Sequence, residues 1–371
     1  MAFLGGTPLK IMHVLKHSVR GAGNVHVAVD LACEQADLGH EVAFVSARGS
    51  YDDLLAAHGV KAIEVPESGG ALGAARSGLA LLAIARQFRP DIIHAHMMSS
   101  AVLGFGVSKV IRAPMVTTVH NSFDGHSRLM RLGRIVVAVS EAERRLLISR
   151  GFRPARVRTV LNGPDGSPRE TLHGEDLGPL QRPSVIVLSG LHPRKAVSDV
   201  ITAFAAAAEE FPAWHLNIVG WGADKGRLEK LVVELGLEQS VHFLGSTLTP
   251  RPLLDQSEIF ATATLADPCP LTVGEARAAG CAVVATAVGG IPELLEYGMA
   301  GLLSPPSDPE AMAMALRTLM ADPTSLERWQ AQALDGAEHL TVRRMAEDYL
   351  DVYADVTRSG ASVAVSPRTR G

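Results

Sequence analysis

Two carboxylates, Asp267 and Glu275, lie eight positions apart in a segment that favours a loop followed by a helix. Prolines surround the first acid, and residues 271–279 are predicted to form a helix that Gly280 ends. A loop leading into a helix directs backbone N–H groups and the positive end of the helix dipole at one point. Such a point suits a phosphorylated ligand, with the carboxylates free to accept hydrogen bonds from sugar hydroxyls. The alternative is a loop cap and a solvated helix residue.

Two adjacent cations, Arg194 and Lys195, follow another apolar strand and precede another predicted helix. Lysine acts as a point charge and arginine can bind two oxygens at once, so the pair is suited to a diphosphate. The alternative is a pair of solvated surface cations. Gly220-Trp221-Gly222 follows the next strand, where it either brings backbone close to a ligand or forms a plain turn.

Gly21 and Gly23 follow the first predicted strand, where they let backbone approach a phosphate or form a tight turn. A dinucleotide-binding fingerprint is not indicated, because His26 holds the position of its third glycine. The acidic residue that such a site needs after the second strand is also missing from residues 46–50. A nicotinamide-type site is therefore not predicted.

Three histidines lie at strand ends in the first half of the chain. His120 ends one strand, where it can donate a hydrogen bond to a sugar hydroxyl or have only a structural role. His94 and His96 alternate at another strand end, and the sequence places no carboxylate or third ligand near them. We interpret these two as structural and predict no metal site.

Short apolar strands alternate with helix-length segments along both halves, which is typical of parallel sheets covered by helices on both faces. The predicted strands are residues 10–15, 41–46, 92–95, 115–119, 135–139, 184–188, 215–219, 241–244, 259–263 and 281–285. The predicted helices are residues 25–38, 79–88, from 141 onward, 197–210, 225–235, 271–279, 309–319, and about 325–355 with a break near 341.

The alternation pauses at residues 162–183, which are rich in Gly, Pro and Asp and predict a linker. We therefore expect an α/β protein with two doubly wound Rossmann-like domains that face each other across a cleft. The predicted bounds are 1–175 and 176–335 for the two domains, 336–357 for a helix packing back toward the first domain, and 358–371 for a flexible tail.

The bulk composition excludes several classes of protein. Hydrophobic residues make up 47% and charged residues 20%, an ordinary globular profile, and the net charge of -4 gives no case for nucleic-acid binding. The three cysteines form no CxxC pair, which fits a reducing cytosol rather than a disulfide framework or a zinc site. No apolar run approaches the roughly 20 residues of a membrane-spanning helix.

Charge is concentrated in one segment. Residues 126–158 hold nine arginines and two glutamates. This segment forms either a solvated face or a patch that contacts anionic lipid headgroups or an anionic acceptor.

Taken in order, these motifs resemble those of the family 4 glycosyltransferases of the GT-B fold, over about residues 10–319. The order and spacing of the pieces carry the resemblance more than any single piece does. The pieces are GAG from Gly21, LGHEV from Leu38, DIIHAH from Asp91, TVH from Thr118, VSE from Val139, NGPD from Asn162, LSGLHPRKA from Leu188, IVGWG from Ile218, EARAAG from Glu275, VGGIPE from Val288, GLL from Gly301 and DPE from Asp308.

The resemblance implies a retaining transfer of a hexosyl unit from a nucleotide-diphospho-sugar to a sugar or lipid-linked acceptor hydroxyl. It implies that the reaction needs no metal and no other cofactor. It also implies a role in surface polysaccharide or glycolipid assembly, in the cytoplasm or at the inner face of the cell membrane. The first domain would take the acceptor and the second the donor.

By position, the resemblance implies that Asp267 contacts the donor sugar and Glu275 the ribose. Lys195 would contact the diphosphate, and His120 would lie near the reacting sugar carbon. The implied catalytic positions are thus His120, Asp267 and Lys195. The implied donor-binding positions are Gly21, Gly23, Arg194, Lys195, Gly220, Cys269, Leu271, Thr272 and Glu275.

Three positions depart from the family pattern. Asp267 stands where glutamate is usual, Gly190 where the arginine of "GR" is usual, and Pro270 where a glycine with a free N–H is common. We hypothesise that Arg194 supplies the missing cation. The rival interpretations are a nucleotide-sugar epimerase or a phosphorylase on the same fold, and a non-catalytic sugar-nucleotide-binding subunit.

Overall fold

A computed structural model describes residues 7–361, apart from residues 48, 68, 124 and 173. It divides into two compact units. Unit 1 holds the described residues up to Leu161 together with the segment that begins at Val342, and unit 2 is Asn162–Thr341.

Unit 1 is built on a seven-stranded parallel sheet with the strand order β3-β2-β1-β4-β5-β6-β7. A 3₁₀ helix, Gly125–Leu132, precedes β6. The strands and helices are β1 (Lys10–Val14), α1 (Gly23–Asp37), β2 (Glu41–Ser46), α2 (Asp52–Ala57), β3 (Lys61–Glu64), α3 (Gly70–Phe88), β4 (Ile92–Ala95), α4 (Met98–Ile111), β5 (Met115–Val119), β6 (Ile135–Ala138), α5 (Glu141–Ser149) and β7 (Val157–Thr159).

Unit 2 is built on a six-stranded parallel sheet with the strand order β10-β9-β8-β11-β12-β13. Its elements are β8 (Ser184–Leu188), α6 (Val197–Ala208), β9 (His215–Val219), α7 (Lys225–Glu234), β10 (Val241–Gly245), α8 (Arg251–Leu254), β11 (Ile259–Thr262), α9 (Leu271–Ala278), β12 (Ala282–Thr286), α10 (Ile291–Leu294), β13 (Leu302–Ser304), α11 (Pro309–Ala321) and α12 (Pro323–Leu334). Helix α13 (Val342–Ala361) then returns to unit 1 and packs against α1.

Both sheets are doubly wound, as the alternation of strands and helices predicts. In each, the strand order reverses at a switch point, between β1 and β4 in unit 1 and between β8 and β11 in unit 2. Ligands of such sheets bind beyond the carboxyl ends of the strands at this point. The central strands β4, β5, β8, β11 and β12 are buried at every position, so apolar runs rather than alternation mark them in the sequence.

The structure contains elements that sequence patterns did not predict. Helix α4, strands β3 and β7, and the first turns of α3 are examples. The start of α3 is rich in glycine, which has low helix propensity, yet its buried residues Ser77, Leu81, Ala85 and Phe88 recur at helical spacing. Packing against the sheet therefore outweighs local propensity there.

The stretch predicted as a linker, residues 162–183, is packed where it begins. Asn162, Gly163 and Pro164 are buried, and a Cβ on Gly274 of α9 would lie 2.8 Å from the Pro164 ring. The 3₁₀ helix Pro168–Thr171 follows. In the predicted tail, helix α13 continues through residue 361, and residues 362–371 lie outside the described part of the chain.

Two motif pieces serve as helix caps. The Ser140 hydroxyl accepts a hydrogen bond from Glu143 N at 3.1 Å and starts α5. The Asp308 carboxylate accepts one from Ala311 N at 2.9 Å and starts α11. Each satisfies a backbone donor that the first helical turn leaves unpaired, which explains these residue types without a ligand.

Candidate functional site

The switch point of unit 2 brings together the cations after β8 and the acid after β11. Lys195 Nζ donates a hydrogen bond to Asp267 Oδ2 at 2.6 Å, and Arg194 Nη1 lies 3.9 Å from the same oxygen. The Lys195 and Asp267 side chains are 17% and 14% exposed, so the pair is held in a largely enclosed position. The sequence predicts a free carboxylate at Asp267. In the structure, one Asp267 oxygen is already bound to Lys195.

Backbone contacts fix these two loops against each other. Leu265 N donates to the carbonyl of Arg194 at 2.8 Å, and the Arg194 guanidinium donates to the carbonyl of Ala266. Ala196 has a left-handed backbone with φ of 45°, which turns the chain directly after Lys195 into α6. The positions of the cations relative to Asp267 are thus set by main-chain bonds rather than by the ion pair alone.

Two glycines are required by close backbone approach around this cluster. A Cβ on Gly289 would lie 1.8 Å from the carbonyl oxygen of Asp267, and Gly289 also has φ of 56°. A Cβ on Gly220 would lie 1.8 Å from the carbonyl oxygen of Ser189. Both motif glycines therefore have a packing reason, and Gly220 brings the loop after β9 onto the loop after β8.

Glu275 lies on α9 one turn beyond the Asp267 loop. Its carboxylate is 3.7 Å from the guanidinium of Arg169, and both side chains are mostly buried. The two residues line a pocket of about 350 Å³ together with Thr249, Pro250 and Arg251. A polar group that enters this pocket can accept from the arginines and donate to Glu275.

The remaining predicted donor-loop residues differ in accessibility. Leu271 and Thr272 begin α9 and are partly exposed, whereas Cys269 is buried. The carbonyl of Cys269 accepts a hydrogen bond from Asn162 Nδ2 at 2.9 Å. Cys269 is therefore largely shielded from solvent, and its carbonyl already has a partner within unit 2.

Gly21 lies in the loop between β1 and α1 of unit 1, and Gly23 is the first residue of α1. Gly21 has φ of 93°, a left-handed conformation that favours glycine. A Cβ on either residue would meet no atom within 4 Å. Packing inside unit 1 therefore does not require glycine at position 23, and the loop is open to an approaching group.

His120 follows β5 and is joined to a buried histidine cluster at the switch point of unit 1. Its Nε2 lies 3.1 Å from His96 Nδ1, and His96 Nε2 lies 2.9 Å from His13 Nδ1. His13 Nε2 in turn lies 2.9 Å from the amide oxygen of Gln35 on α1. His94 bonds to Thr118 at 2.8 Å and to Tyr353 at 2.7 Å.

Burial keeps this cluster neutral. Desolvation lowers the pKa of His13 to about 4 and that of His120 to about 3. The pKa values of His94 and His96 are held well below the ordinary value by desolvation and by the neighbouring histidines. All four rings are therefore neutral at pH 7, each with one N–H and one bare nitrogen.

The expectation that no third ligand lies near His94 and His96 was wrong. His13 brings a third imidazole, with ligand nitrogens of the three rings within 4.8 Å of one another. Both nitrogens of each ring are engaged in hydrogen bonds with His, Gln, Thr or Tyr partners. A metal ion would have to displace those bonds, so this donor set fits a hydrogen-bonded cluster better than a metal site.

The neutral cluster makes the stability of the protein depend on pH. The unfolded chain binds protons below about pH 6.5 that the folded cluster does not bind. The free energy of unfolding is thus at its full value above pH 6.5 and falls as pH drops toward 4, by up to about 1.4 kcal/mol per pH unit for each histidine. Urea unfolding followed by circular dichroism at a series of pH values measures this slope.

The matched variants are His94→Asn in the cluster and His126→Asn at an exposed position. In His94→Asn, the free energy of unfolding is expected to change less steeply with pH than in the wild type. In His126→Asn, it is expected to change as steeply as in the wild type. A free energy of unfolding that is constant between about pH 7 and pH 5 would contradict the neutral cluster.

Sequence reasoning missed Arg169 and His13. Arg169 lies in the predicted linker, and no local pattern links it to Glu275, which is 106 positions away. His13 had a usable signal, because β1 and β4 are neighbours at the switch point and His13 pairs with His94 in register. Parallel neighbours in register point to the same face of a sheet.

Two family models match adjoining parts of this chain. "Glycosyltransferase Family 4" matches residues 22–166 and "Glycosyl transferases group 1" matches residues 182–322. Together they cover well over half of the chain, one in each half of the sequence.

Several bacterial proteins are similar to this chain. A Streptomyces coelicolor exopolysaccharide phosphotransferase is 30% identical over 62% of this chain, but the match spans only 24% of that protein. A D-inositol 3-phosphate glycosyltransferase of Corynebacterium efficiens is 27% identical over 76% of this chain and 75% of its own length. Among solved structures, Anabaena HepE in complex with UDP and glucose has a TM-score of 0.80 at 23% identity, covering 94% of this chain and all of that one.

Two doubly wound parallel-sheet units and the likeness to HepE define the fold as that of the GT-B glycosyltransferases. The chain belongs to the group 1 glycosyltransferases, glycosyltransferase family 4.

Proposed function

We propose that the chain is a retaining glycosyltransferase that moves a hexosyl unit from a nucleotide-diphospho-sugar to an acceptor hydroxyl, in the assembly of a surface polysaccharide or glycolipid. The observation that carries the proposal is the contact of 2.6 Å between Lys195 and Asp267 at the switch point of unit 2. It joins a cation suited to a diphosphate with a carboxylate suited to sugar hydroxyls, beside the start of α9.

The difficult event in this reaction is departure of the nucleoside diphosphate, which leaves negative charge on the leaving group. Lys195, Arg194 and the N-terminal N–H groups of α9 would stabilise that charge, and the reaction would need no metal ion. Lys195 would exchange part of its bond to Asp267 for the diphosphate, which releases an Asp267 oxygen for the sugar. The sugar–phosphate bond breaks, the acceptor oxygen bonds the same carbon, and the acceptor proton passes to the departing phosphate.

The donor is assigned on chemical grounds to a nucleotide sugar. Glu275 would accept hydrogen bonds from the ribose hydroxyls, within the pocket that it shares with Arg169. HepE, which has the same fold, binds UDP, and this supports UDP as the first nucleotide to test. Turnover that requires an acceptor would distinguish a transferase from an epimerase. Any turnover of the donor would rule out a non-catalytic binding subunit.

The test of the proposed reaction is proton NMR of the anomeric signal while the full chain consumes α-linked nucleotide sugars. We expect the first sugar product to retain the α configuration. A first product of inverted configuration would contradict the retaining mechanism, and consumption without cleavage of the sugar–phosphate bond would indicate the epimerase.

Replacing Glu275 with alanine is expected to weaken nucleotide binding by about 10- to 100-fold, because a hydrogen bond to a charged group is worth roughly 1.5–3 kcal/mol. Isothermal calorimetry with UDP, GDP and ADP measures the change. Glu229→Ala, at an exposed position on α7, is the matched control and should bind as the wild type. Equal affinity of wild type and Glu275→Ala for every nucleotide would remove Glu275 from the site.

We further propose that the arginine-rich surface of unit 1 contacts an anionic membrane. Exposed apolar side chains accompany the arginines there, with Phe123 51%, Leu129 40% and Leu146 39% exposed. The exposed arginines are Arg128, Arg131, Arg134, Arg145, Arg150, Arg153, Arg156 and Arg158. None of the helices in the described ranges has the length and apolar character that a membrane span needs.

Co-sedimentation with liposomes tests this surface. Binding is expected to require anionic lipid and to fall as salt rises, because each arginine near the surface contributes about 1 kcal/mol that salt screens. The double variant Arg128→Glu, Arg134→Glu should bind more weakly, whereas Arg328→Glu, an exposed change in unit 2, should not. Equal binding to neutral and anionic liposomes would count against the proposal.

A further inference from the structure

A continuous chain of hydrogen bonds leads from Gln35 to His120 through the core of unit 1. The Gln35 amide oxygen contacts His13, His13 contacts His96, and His96 contacts His120, at 2.9, 2.9 and 3.1 Å. Gln35, His13 and His96 are at most 2% exposed, whereas His120 is half-buried. The chain therefore connects a fully buried amide to a ring that solvent can reach.

The direction of every bond in this chain follows from Gln35. An amide oxygen only accepts, so His13 donates from Nε2 and its Nδ1 is bare. His96 must then donate from Nε2 to His13, which leaves the Nδ1 of His96 bare. His120 must in turn donate from Nε2 to His96. Because each ring is neutral and carries one proton, the Nδ1 of His120 is left as a lone pair.

A second set of bonds is compatible with this orientation of the Gln35 amide. The Gln35 amide nitrogen donates to the hydroxyl of Tyr353 at 3.3 Å, and Tyr353 lies 2.7 Å from His94 Nδ1. Tyr353 therefore donates to His94, whose Nε2 donates to Thr118, and the Thr118 hydroxyl donates to Tyr349. With the Gln35 amide in this orientation, every bond of the network has one donor and one acceptor.

The same atoms also satisfy the opposite direction. If the Gln35 amide turned over, its nitrogen would donate to His13. His13, His96 and His120 would then each carry the proton on Nδ1, and Tyr353 would donate to Gln35 instead of His94. His120 would then present an N–H instead of a lone pair. One amide orientation thus selects between two states of a ring three residues further along the chain of bonds.

We propose that Gln35 is a positioning residue that fixes the tautomer of His120, through His13 and His96, so that His120 Nδ1 accepts a hydrogen bond from a substrate hydroxyl. This inference rests on the proposed function only in placing His120 next to the substrates. No hydrogen bond within the described residues uses His120 Nδ1. The nitrogen available to a ligand is therefore an acceptor, and not the donor that the sequence analysis expected.

The chemical consequence concerns the hydroxyl groups of the reaction. A lone pair on His120 Nδ1 orients a hydroxyl so that its oxygen lone pairs point away from the ring, toward an electrophile. An N–H in that place would instead occupy an oxygen lone pair and make the hydroxyl a poorer nucleophile. Low pKa values, set by burial, mean that His120 holds the hydroxyl by its neutral ring and does not take its proton in a stable way.

The direct test is the ring ¹⁵N spectrum of the ligand-free full chain labelled in histidine, with His120→Gln used to assign the His120 signals. Two-bond and three-bond couplings show which nitrogen carries the proton, and this readout needs no substrate. We expect the wild type to carry a single His120 tautomer, protonated on Nε2. A wild-type His120 protonated on Nδ1 overturns the proposal, whatever the enzyme transfers.

The variant test uses Gln35→Met, which has nearly the same volume and no amide. We expect it to populate both tautomers of His120 and to lower kcat about two- to tenfold, in proportion to the competent fraction, with little change in the KM of the donor. Tyr349→Phe is the matched control, because it removes a hydroxyl from the same cluster at the end that does not lead to His120. It should keep the single tautomer.

A second variant covers the case in which Gln35→Met does not fold. Tyr353→Phe removes the hydroxyl that receives the Gln35 amide nitrogen, so the amide can turn and both tautomers of His120 are expected again. A folded Gln35→Met or Tyr353→Phe variant with the wild-type tautomer alone would show that Gln35 does not set it. Loss of turnover with an unchanged tautomer would contradict the relay and leave the transferase proposal intact.

Discussion

Replacing Lys195 with alanine is expected to lower the rate of sugar transfer by roughly 10²- to 10³-fold while the chain remains folded. Lys195 follows β8 and lies 2.6 Å from Asp267, with its side chain 17% exposed. A donor that stabilises developing charge in such an enclosed place typically contributes this much to turnover. We expect kcat to carry most of the loss, because negative charge on the leaving group is largest in the transition state.

Lys225→Ala is the matched control for Lys195→Ala. Lys225 also begins a helix directly after a strand-end loop of unit 2, but its partner is Glu229 and its side chain is 44% exposed. It should keep wild-type activity. Steady-state release of nucleoside diphosphate measures both variants, and Lys195→Ala with less than a tenfold loss would show that the lysine does not stabilise the leaving group.

Replacing Arg277 with methionine is expected to lower the free energy of unfolding by about 3–5 kcal/mol. Arg277 lies on α9 and is completely buried, an unusual place for a charge. Its guanidinium donates to the carbonyls of Leu294, Ala333 and Asp335 and to the carboxylate of Glu296, at 2.6 to 2.9 Å. Methionine fills part of the volume but leaves the buried carbonyls of Leu294 and Ala333 without this donor.

The unfolding of Arg277→Met can be followed by fluorescence, since all three tryptophans, Trp214, Trp221 and Trp329, belong to unit 2. Arg328→Met on α12 makes the same chemical change at an exposed position and should cost less than about 1 kcal/mol. If Arg277→Met in urea were as stable as Arg328→Met, the buried guanidinium would not be holding α9 in place.

Local sequence patterns predicted the sheets well. The bounds of β2, β4, β5, β8 and β9 agree with the apolar runs that predicted them, because a strand buried on both faces needs a continuous apolar segment. Helices were less predictable where packing outweighs propensity, as in the glycine-rich start of α3. The capping residues Ser140 and Asp308 also show that a motif piece can have a purely local structural reason.

The candidate site could be predicted only in part. Strand-end loops identified Lys195 and Asp267 separately, but not the bond between them, because they are 72 positions apart. Arg169 was missed because it contacts Glu275 from a 3₁₀ helix far away in the sequence, and His13 because it meets His96 through the order of the strands. The identity of the bare nitrogen on His120 depends on Gln35, which no pattern around His120 indicates.

The most direct measurement of the central claim is release of nucleoside diphosphate from a panel of UDP-, GDP- and ADP-sugars by the full chain, compared with Lys195→Ala at equal concentration. We expect the wild type to turn over at least one donor, and to do so faster when an acceptor is added. The rate of nucleoside diphosphate release by Lys195→Ala should be at least tenfold lower. If the wild type binds nucleotide yet turns over none of the donors, the chain is a sugar-nucleotide-binding protein and not a transferase.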